Sequence, residues 1–174
     1  MENLVVVNED DEETDVVDKL ECHKGEGILH RAFTVFIFNH QNQLLTQERS
    51  EYKLLWPLTW ESSCSSHPLP KEEYIAAGRE RLGYELGFSC ALEIVGKFQY
   101  EASYKDIGSE NEVCALLIGK YDGDIRPNNR EVKTFKWIDL ETLEGKLSIN
   151  PSKYAPWLKS ALECYKSQNR EHPK

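Results

Sequence analysis

No stretch of this 174-residue chain comes near the roughly 18 consecutive apolar residues of a membrane-spanning helix, which excludes an integral helical membrane protein. Basic residues are outnumbered by acidic ones. The chain has 21 Lys and Arg against 30 Asp and Glu, and a formal charge of −9 argues against a nucleic-acid partner, which needs a positive surface. One basic pocket for a small phosphorylated ligand stays open. Paired cysteines are also missing. Cys22, Cys64, Cys90, Cys114 and Cys164 are odd in number, widely spaced and without a CxxC pair, so reduced thiols are expected rather than a disulfide scaffold. The opening MENLVVVNEDDEETD has neither the apolar core of a signal peptide nor the basic residues of a transit peptide, so a cytoplasmic protein is expected. What remains is 40% hydrophobic, enough at this length to bury a core, and a single domain over 1–174 is the simplest division. Neither an internal repeat nor a low-complexity linker interrupts it.

Along the chain, Leu4 to Val7 is a β-branched run that predicts an edge strand, and acidic Glu9 to Asp15 predicts a solvated loop; together they make up segment 1–18. Gly25 and Gly27 mark a flexible connection. Arg31 to Asn39, RAFTVFIFN, is almost continuously apolar, as a strand buried on both faces would be. Asn39 to Asn42 are turn residues, so Gln43 to Arg49 is expected to run back as a hairpin partner. Pro68 and Pro70 precede a helix from about Lys71, with Ile75, Gly78, Leu82 and Leu86 on one side and Gly87 as its stop. Strands are predicted at Leu92 to Tyr104, Asn111 to Tyr121 and Val132 to Ile138. A short helix at Leu140 to Lys146 follows, and 151–174 forms a closing amphipathic helix and tail. The order predicts an α/β sandwich on a mixed sheet.

The chemistry concentrates between Trp56 and Gly87, in WPLTWESSCSSHPLPKEEYIAAGRERLGYELG: a Trp-rich segment, a serine turn ending on His67, and a helix bearing Glu85. Such a turn feeding such a helix can hold a metal ion beside an anionic substrate. His23 and His30 stand seven residues apart around a glycine-bearing loop. Each histidine alone is an ordinary core or surface residue. Glu110 and Glu112 shift that balance, because residues two apart on a strand project to one face and would aim two carboxylates into one space. Three imidazoles with two carboxylates suit Mn²⁺ or Mg²⁺, with Zn²⁺ as the alternative. Arg81 and Glu85 lie one helical turn apart. They make either a surface ion pair worth a few tenths of a kcal/mol or an arginine offered to a phosphate with a carboxylate offered to its metal. Lys19, Arg49 and Lys53 taken singly are solvated charges.

Taken in order, the chain shows LHRAF, QER with Lys53 four residues on, WPLTW with CSSHP, RLGYELG, Tyr100 with ENEVC, and APW. This series resembles the type 1 isopentenyl-diphosphate isomerases of the Nudix superfamily, from about Lys19 to Trp157. The resemblance implies a Nudix-like α/β/α sandwich with a mixed β-sheet, and the isomerisation of isopentenyl to dimethylallyl diphosphate through a tertiary carbocation. By the same resemblance His23, His30, His67, Glu110 and Glu112 ligate a first divalent ion, Mn²⁺, Mg²⁺ or Zn²⁺. Glu85 holds a second, Mg²⁺, with a backbone carbonyl of the serine turn. Lys19, Arg49, Lys53 and Arg81 clamp the diphosphate, and Trp157 lines the hydrocarbon pocket and shields the cation through its π face. Glu112 with Tyr100 manages the proton on one face and residue 65 on the other. The implied partner is a small-molecule prenyl diphosphate, with no nucleic acid and no membrane, and the expected state is a monomer or weak homodimer.

Two positions depart from that pattern. In the Nudix box Glu85 and Gly87 persist, but Glu80-Arg81 reverses the usual Arg-Glu order and Tyr84 replaces a glutamate, which disfavours simple phosphoanhydride cleavage. With CSSHP aligned on His67, Ser65 occupies the position of the family's catalytic cysteine, and Cys64, one residue early, is the alternative to it. A serine hydroxyl needs a neighbouring base to act, whereas a thiol of pKa about 8.5 ionises readily. Ser65 therefore supports a slower isomerase, a divergent enzyme for a longer or differently rearranged prenyl diphosphate, or a noncatalytic binder. A Nudix diphosphate hydrolase is the alternative from another reaction class.

Overall fold

In chain order the computed structural model, which describes residues 2–171, has β1 (Asn3–Val7), β2 (Glu13–Asp18), α1 (Lys19–Cys22), β3 (His30–Phe38) and β4 (Leu44–Arg49). There follow β5 (Trp60–Glu61), β6 (Cys64–Ser66), α2 (Tyr74–Leu86), β7 (Leu92–Tyr104), β8 (Gly108–Lys120), β9 (Val132–Ile138), α3 (Leu140–Ile149) and α4 (Pro156–Glu171). The last residues of the expected tail, 172–174, lie outside the described residues. No helix among the described residues is long and apolar enough to cross a membrane, and all five cysteines are free.

The sheet is organised on β3. It runs parallel to β8 from His30↔Glu112 to Phe38↔Lys120, while β7 lies antiparallel to β8 on the far side, so the sheet is mixed. Alternation then sorts the side chains between two layers. Phe33, Val35, Ile37, Ala115 and Leu117 face α2, meeting Ala77, Leu82 and Leu86. Phe36, Phe38 and Leu116 face the opposite layer, meeting Leu143 of α3 and Leu158, Ala161 and Leu162 of α4. Both faces of β3 are covered, which explains why it reads as one apolar run.

Three local expectations are corrected. β1 is not an edge strand, since it lies between β2 and β3; the edge falls to β2, whose acidic, exposed residues discourage further strand pairing. Nor is Glu9 to Asp15 wholly a solvated loop: Asp11, at φ +61°, buries its carboxylate among Arg31 Nε (2.7 Å), Tyr74 Oη (3.0 Å) and Lys97 Nζ. Finally, β4 pairs with β3 at Phe38↔Leu44 alone and then swings to β9. The serine turn separates the two strands, because Ser63 Oγ accepts from Ile37 N–H (2.8 Å) and donates to the Leu45 carbonyl (2.8 Å). That wedge lets β6 take the freed edge of β3, at Phe33 to Val35.

Helix α2 starts at Tyr74 rather than Lys71, whose φ of +70° is not helical. Tyr74, Ala77, Gly78, Leu82 and Leu86 form its buried face, and Ile75 turns outward instead. Gly87 ends the helix at φ +75°, its N–H donating to the Gly83 carbonyl (3.1 Å). A Cβ there would sit 2.8 Å from the Arg126 carbonyl oxygen. Left-handed backbone costs a non-glycine residue about 1–2 kcal/mol, so Gly87→Ala should destabilise the protein by at least that much in denaturant melts. An unchanged midpoint would show that the 126–131 segment is not pressed against the end of α2.

Candidate active site

His30 opens β3, and its register partner Glu112 lies beside it on β8. Glu110, two residues earlier on β8, shares that face. His23 arrives as the residue that ends α1, and His67 follows β6. One ligand atom from each of His23, His30, His67, Glu110 and Glu112 lies within 4.8 Å of every other. The three imidazole centroids are 4.9 to 5.4 Å apart.

The hydrogen bonds show what this cluster is built to hold. His23 Nδ1–H donates to the Lys19 carbonyl (2.6 Å) and His30 Nδ1–H to the Ile28 carbonyl (2.7 Å), which leaves each Nε2 with a lone pair. His30 Nε2 and Glu110 Oε2 are buried and have no hydrogen-bond partner of suitable geometry, although His23 Nε2 is only 2.9 Å from that Glu110 oxygen. Orphaned buried acceptors facing one another are costly unless a cation lies between them. The donor set, three imidazoles and two carboxylates, fits a divalent cation.

Charges in the cluster follow from burial and neighbours. Burial, with help from His30 and Lys19, holds the His67 imidazole well below its ordinary pKa and keeps it neutral. At His23 burial works the same way but is outweighed by Glu110, so the net shift is upward. Burial also opposes a charged Glu112, yet the His30 imidazole 3.6 Å away and the Tyr100 hydrogen bond prevail and lower its pKa. Tyr100 Oη–H donates to Glu112 Oε2 (2.6 Å), and burial plus that carboxylate push the phenol well up, so it stays a proton-bearing donor. Glu112 Oε1 faces His67 Nε2 at 3.0 Å.

His23, His67, Tyr100, Glu110 and Glu112 line one wall of a cleft of about 650 Å³, and His30 is fully buried. Ser65 is on β6, directly opposite Thr34, and its Oγ is 2.8 Å from Thr34 Oγ1 and 3.0 Å from Ser62 Oγ. Alternation turns Cys64 the other way, fully buried against the α2 layer, where burial and Glu85 hold its thiol well above the ordinary pKa. The apolar wall comes from Leu55, Trp157 and Tyr100, and Trp56 packs edge-on against Trp157 at 5.6 Å.

The expected cations Lys19, Arg49, Lys53 and Arg81 all reach the cleft, but none is bare. Lys19 pairs with Glu2 (3.0 Å) at the half-exposed mouth. Arg49 donates to Glu61 (2.8 Å) and to the Leu55 and Trp56 carbonyls, and its guanidinium lies 5.1 Å over the Trp157 ring. Lys53 and Arg81 both contact Glu85 Oε1, at 3.2 and 2.6 Å. Burial alone would raise the Glu85 pKa, but these two cations and Gln47 reverse the sign. The sequence reading missed Gln47, which donates to Glu85 Oε2 (2.7 Å), Glu61, which also accepts from Trp157 Nε1 (3.2 Å), and Glu131. Gln47 carried a signal, two residues from Arg49 on one strand. Glu61 and Glu131 carried none, because their partners are distant in the chain.

A model of the NUDIX domain matches residues 28–159. The chain is 35% identical over 162 residues to the isopentenyl-diphosphate Delta-isomerase of Burkholderia multivorans, covering 93% of this chain and 92% of that protein. It is 38% identical over 152 residues to the enzyme of that name from Nocardia farcinica, covering 87% of each. Among solved structures, the DR0079 protein of Deinococcus radiodurans superposes with a TM-score of 0.77 at 20% identity, covering 94% of this chain and 99% of that one. The MutT protein of Methanosarcina mazei gives 0.66 at 18% identity, covering 84% and 96%.

Proposed function

Because this chain belongs to the Nudix family, and within it to the isopentenyl-diphosphate isomerases, we propose that it converts isopentenyl diphosphate to dimethylallyl diphosphate by metal-dependent proton addition and removal through a tertiary carbocation. The observation that carries this reading is the convergence of His23, His30, His67, Glu110 and Glu112 on one point beside an aromatic-walled cleft. Those five residues would hold the first divalent ion, Mn²⁺ or Mg²⁺ with Zn²⁺ as the alternative, and Glu85 a second, Mg²⁺. When bound, the ions supply Lewis-acid charge compensation for the diphosphate and the carboxylates.

The remaining work belongs to the side chains. Lys19, Arg49, Lys53 and Arg81 anchor the diphosphate without reacting, which fixes the hydrocarbon against the cleft walls. Protonation of the terminal alkene carbon places positive charge on the adjacent tertiary carbon, and loss of a proton from C2 restores the alkene. Tyr100 and Glu112 manage the proton on one face, with Oη–H held against Oε2. Ser65 addresses the other face, from a strand on the opposite edge of β3 to the strand bearing Glu112. The aromatic rings of Trp157 and Tyr100 exclude water and stabilise the cation. All five proposed ligands of the first ion come from one chain, which supports a first-ion site contained in a single catalytic domain; the proposed state is a monomer or weak homodimer.

Product analysis with five-, ten- and fifteen-carbon prenyl diphosphates tests the proposal. In Mg²⁺ the five-carbon substrate should give dimethylallyl diphosphate, and in deuterated water the label should enter the new methyl group. Chelation should abolish turnover, and returning the ion should restore it. Release of phosphate or a monophosphate, or turnover of a longer chain alone, would replace this assignment.

A further inference from the structure

Glu131, immediately before β9, is a cleft carboxylate to which the isomerase reading gives no task. Its Oε2 accepts from Arg81 Nη2 (2.7 Å) and also from Lys53 Nζ. The same two cations meet Glu85 Oε1, so two carboxylates and two cations form one partly buried quartet. Glu131 is itself firmly placed. Its N–H donates to the Asn128 carbonyl (2.8 Å), its carbonyl accepts from Ser50 N–H (3.0 Å), and Asn128 N–H donates to the Glu85 carbonyl (2.8 Å). The 126–131 segment thereby ties the end of α2 to the turn after β4.

The donor count shows what this arrangement leaves over. An ammonium has three N–H groups and Lys53 spends two on the carboxylates; a guanidinium has five, and the Nη1 edge of Arg81 lies outside these contacts. The carboxylates thus grip one side of each cation and leave the other available to the cleft. Two long, flexible side chains would otherwise wander, and holding them in advance reduces the entropy lost when an anion binds.

We infer that Glu131 is a positioning residue of the anion site, fixing Lys53 and Arg81 in the posture that receives a diphosphate. The inference rests on the reading of those two cations as the diphosphate clamp. A second possibility is written into the same geometry: Glu131 could oppose the anion by competing for its donors. The two differ in sign. If Glu131 positions the clamp its removal weakens binding, and if it competes its removal strengthens binding.

Calorimetry with inorganic diphosphate in Mg²⁺ separates them. Glu131→Ala should weaken binding by about tenfold, the scale of one charge-assisted contact. Glu131→Gln keeps the length and one accepting oxygen and should recover most of the affinity. With isopentenyl diphosphate the loss should fall mainly on KM rather than kcat. Should the alanine variant fail to fold, Glu131→Asp, with its carboxylate drawn back by one methylene, should show the same weakening. Tighter binding in any variant overturns the inference, and so does unchanged affinity with a lowered melting temperature, which would make Glu131 a brace only. Inorganic diphosphate needs no turnover, so failure of the isomerase assignment would leave this result readable on its own.

Discussion

Glu112→Gln should lower turnover of isopentenyl diphosphate by about 10²–10⁴-fold, the usual weight of a positioned acid–base group, while diphosphate binding survives. The expectation comes from the two sides of one carboxylate: Oε1 faces the histidine cluster and Oε2 takes the Tyr100 hydrogen bond. Glutamine preserves the shape and one oxygen but cannot exchange a proton. Metal content measured on the same sample separates a lost proton path from a lost ligand. Near-normal turnover in that variant would remove Glu112 from the chemistry, and lost turnover with lost metal would confine it to coordination.

Ser65→Cys should raise kcat by about tenfold or more and add a limb to the pH–rate profile near the thiol's ionisation, about 8.5. The reason is the company Ser65 keeps. Its hydroxyl bonds to those of Thr34 and Ser62, and Ser62 Oγ also donates to the Cys64 carbonyl (3.2 Å), so among the described residues no base joins this run of hydroxyls. A hydroxyl in that setting passes protons reluctantly. Cys64→Ala should leave kcat in place, since that thiol is fully buried on the other side of β6. Unchanged turnover in Ser65→Cys, together with its abolition in Cys64→Ala, would reverse the assignment of these neighbours.

Most strands were legible because they depend on alternation and on long apolar runs. β7 at Leu92–Tyr104 and β9 at Val132–Ile138 fall where the pattern predicts, and Gly87 stops α2 because only glycine takes φ +75° easily against the Arg126 backbone. The β3–β4 hairpin was over-read. Turn residues at Asn39 to Asn42 bring the chain around, but no local signal shows that Ser63 will bond both strands and hold them apart. Asp11 was lost for a similar reason, since its three partners lie on β3, α2 and β7.

From residue types and spacing alone came the fold class, the two carboxylates two apart on a strand and, through the resemblance, the candidate ligands and clamp. These are properties of short windows, governed by periods of two and 3.6 residues. Convergence is another matter. His30 meets Glu112 only because β3 and β8 pair in parallel in one particular register, and a slip of one residue would turn the carboxylate to the α2 face. The same packing converted four apparently free cations into paired ones and recruited Glu131 from a distant loop, because a charge drawn from water must find a partner among whatever groups the fold brings near.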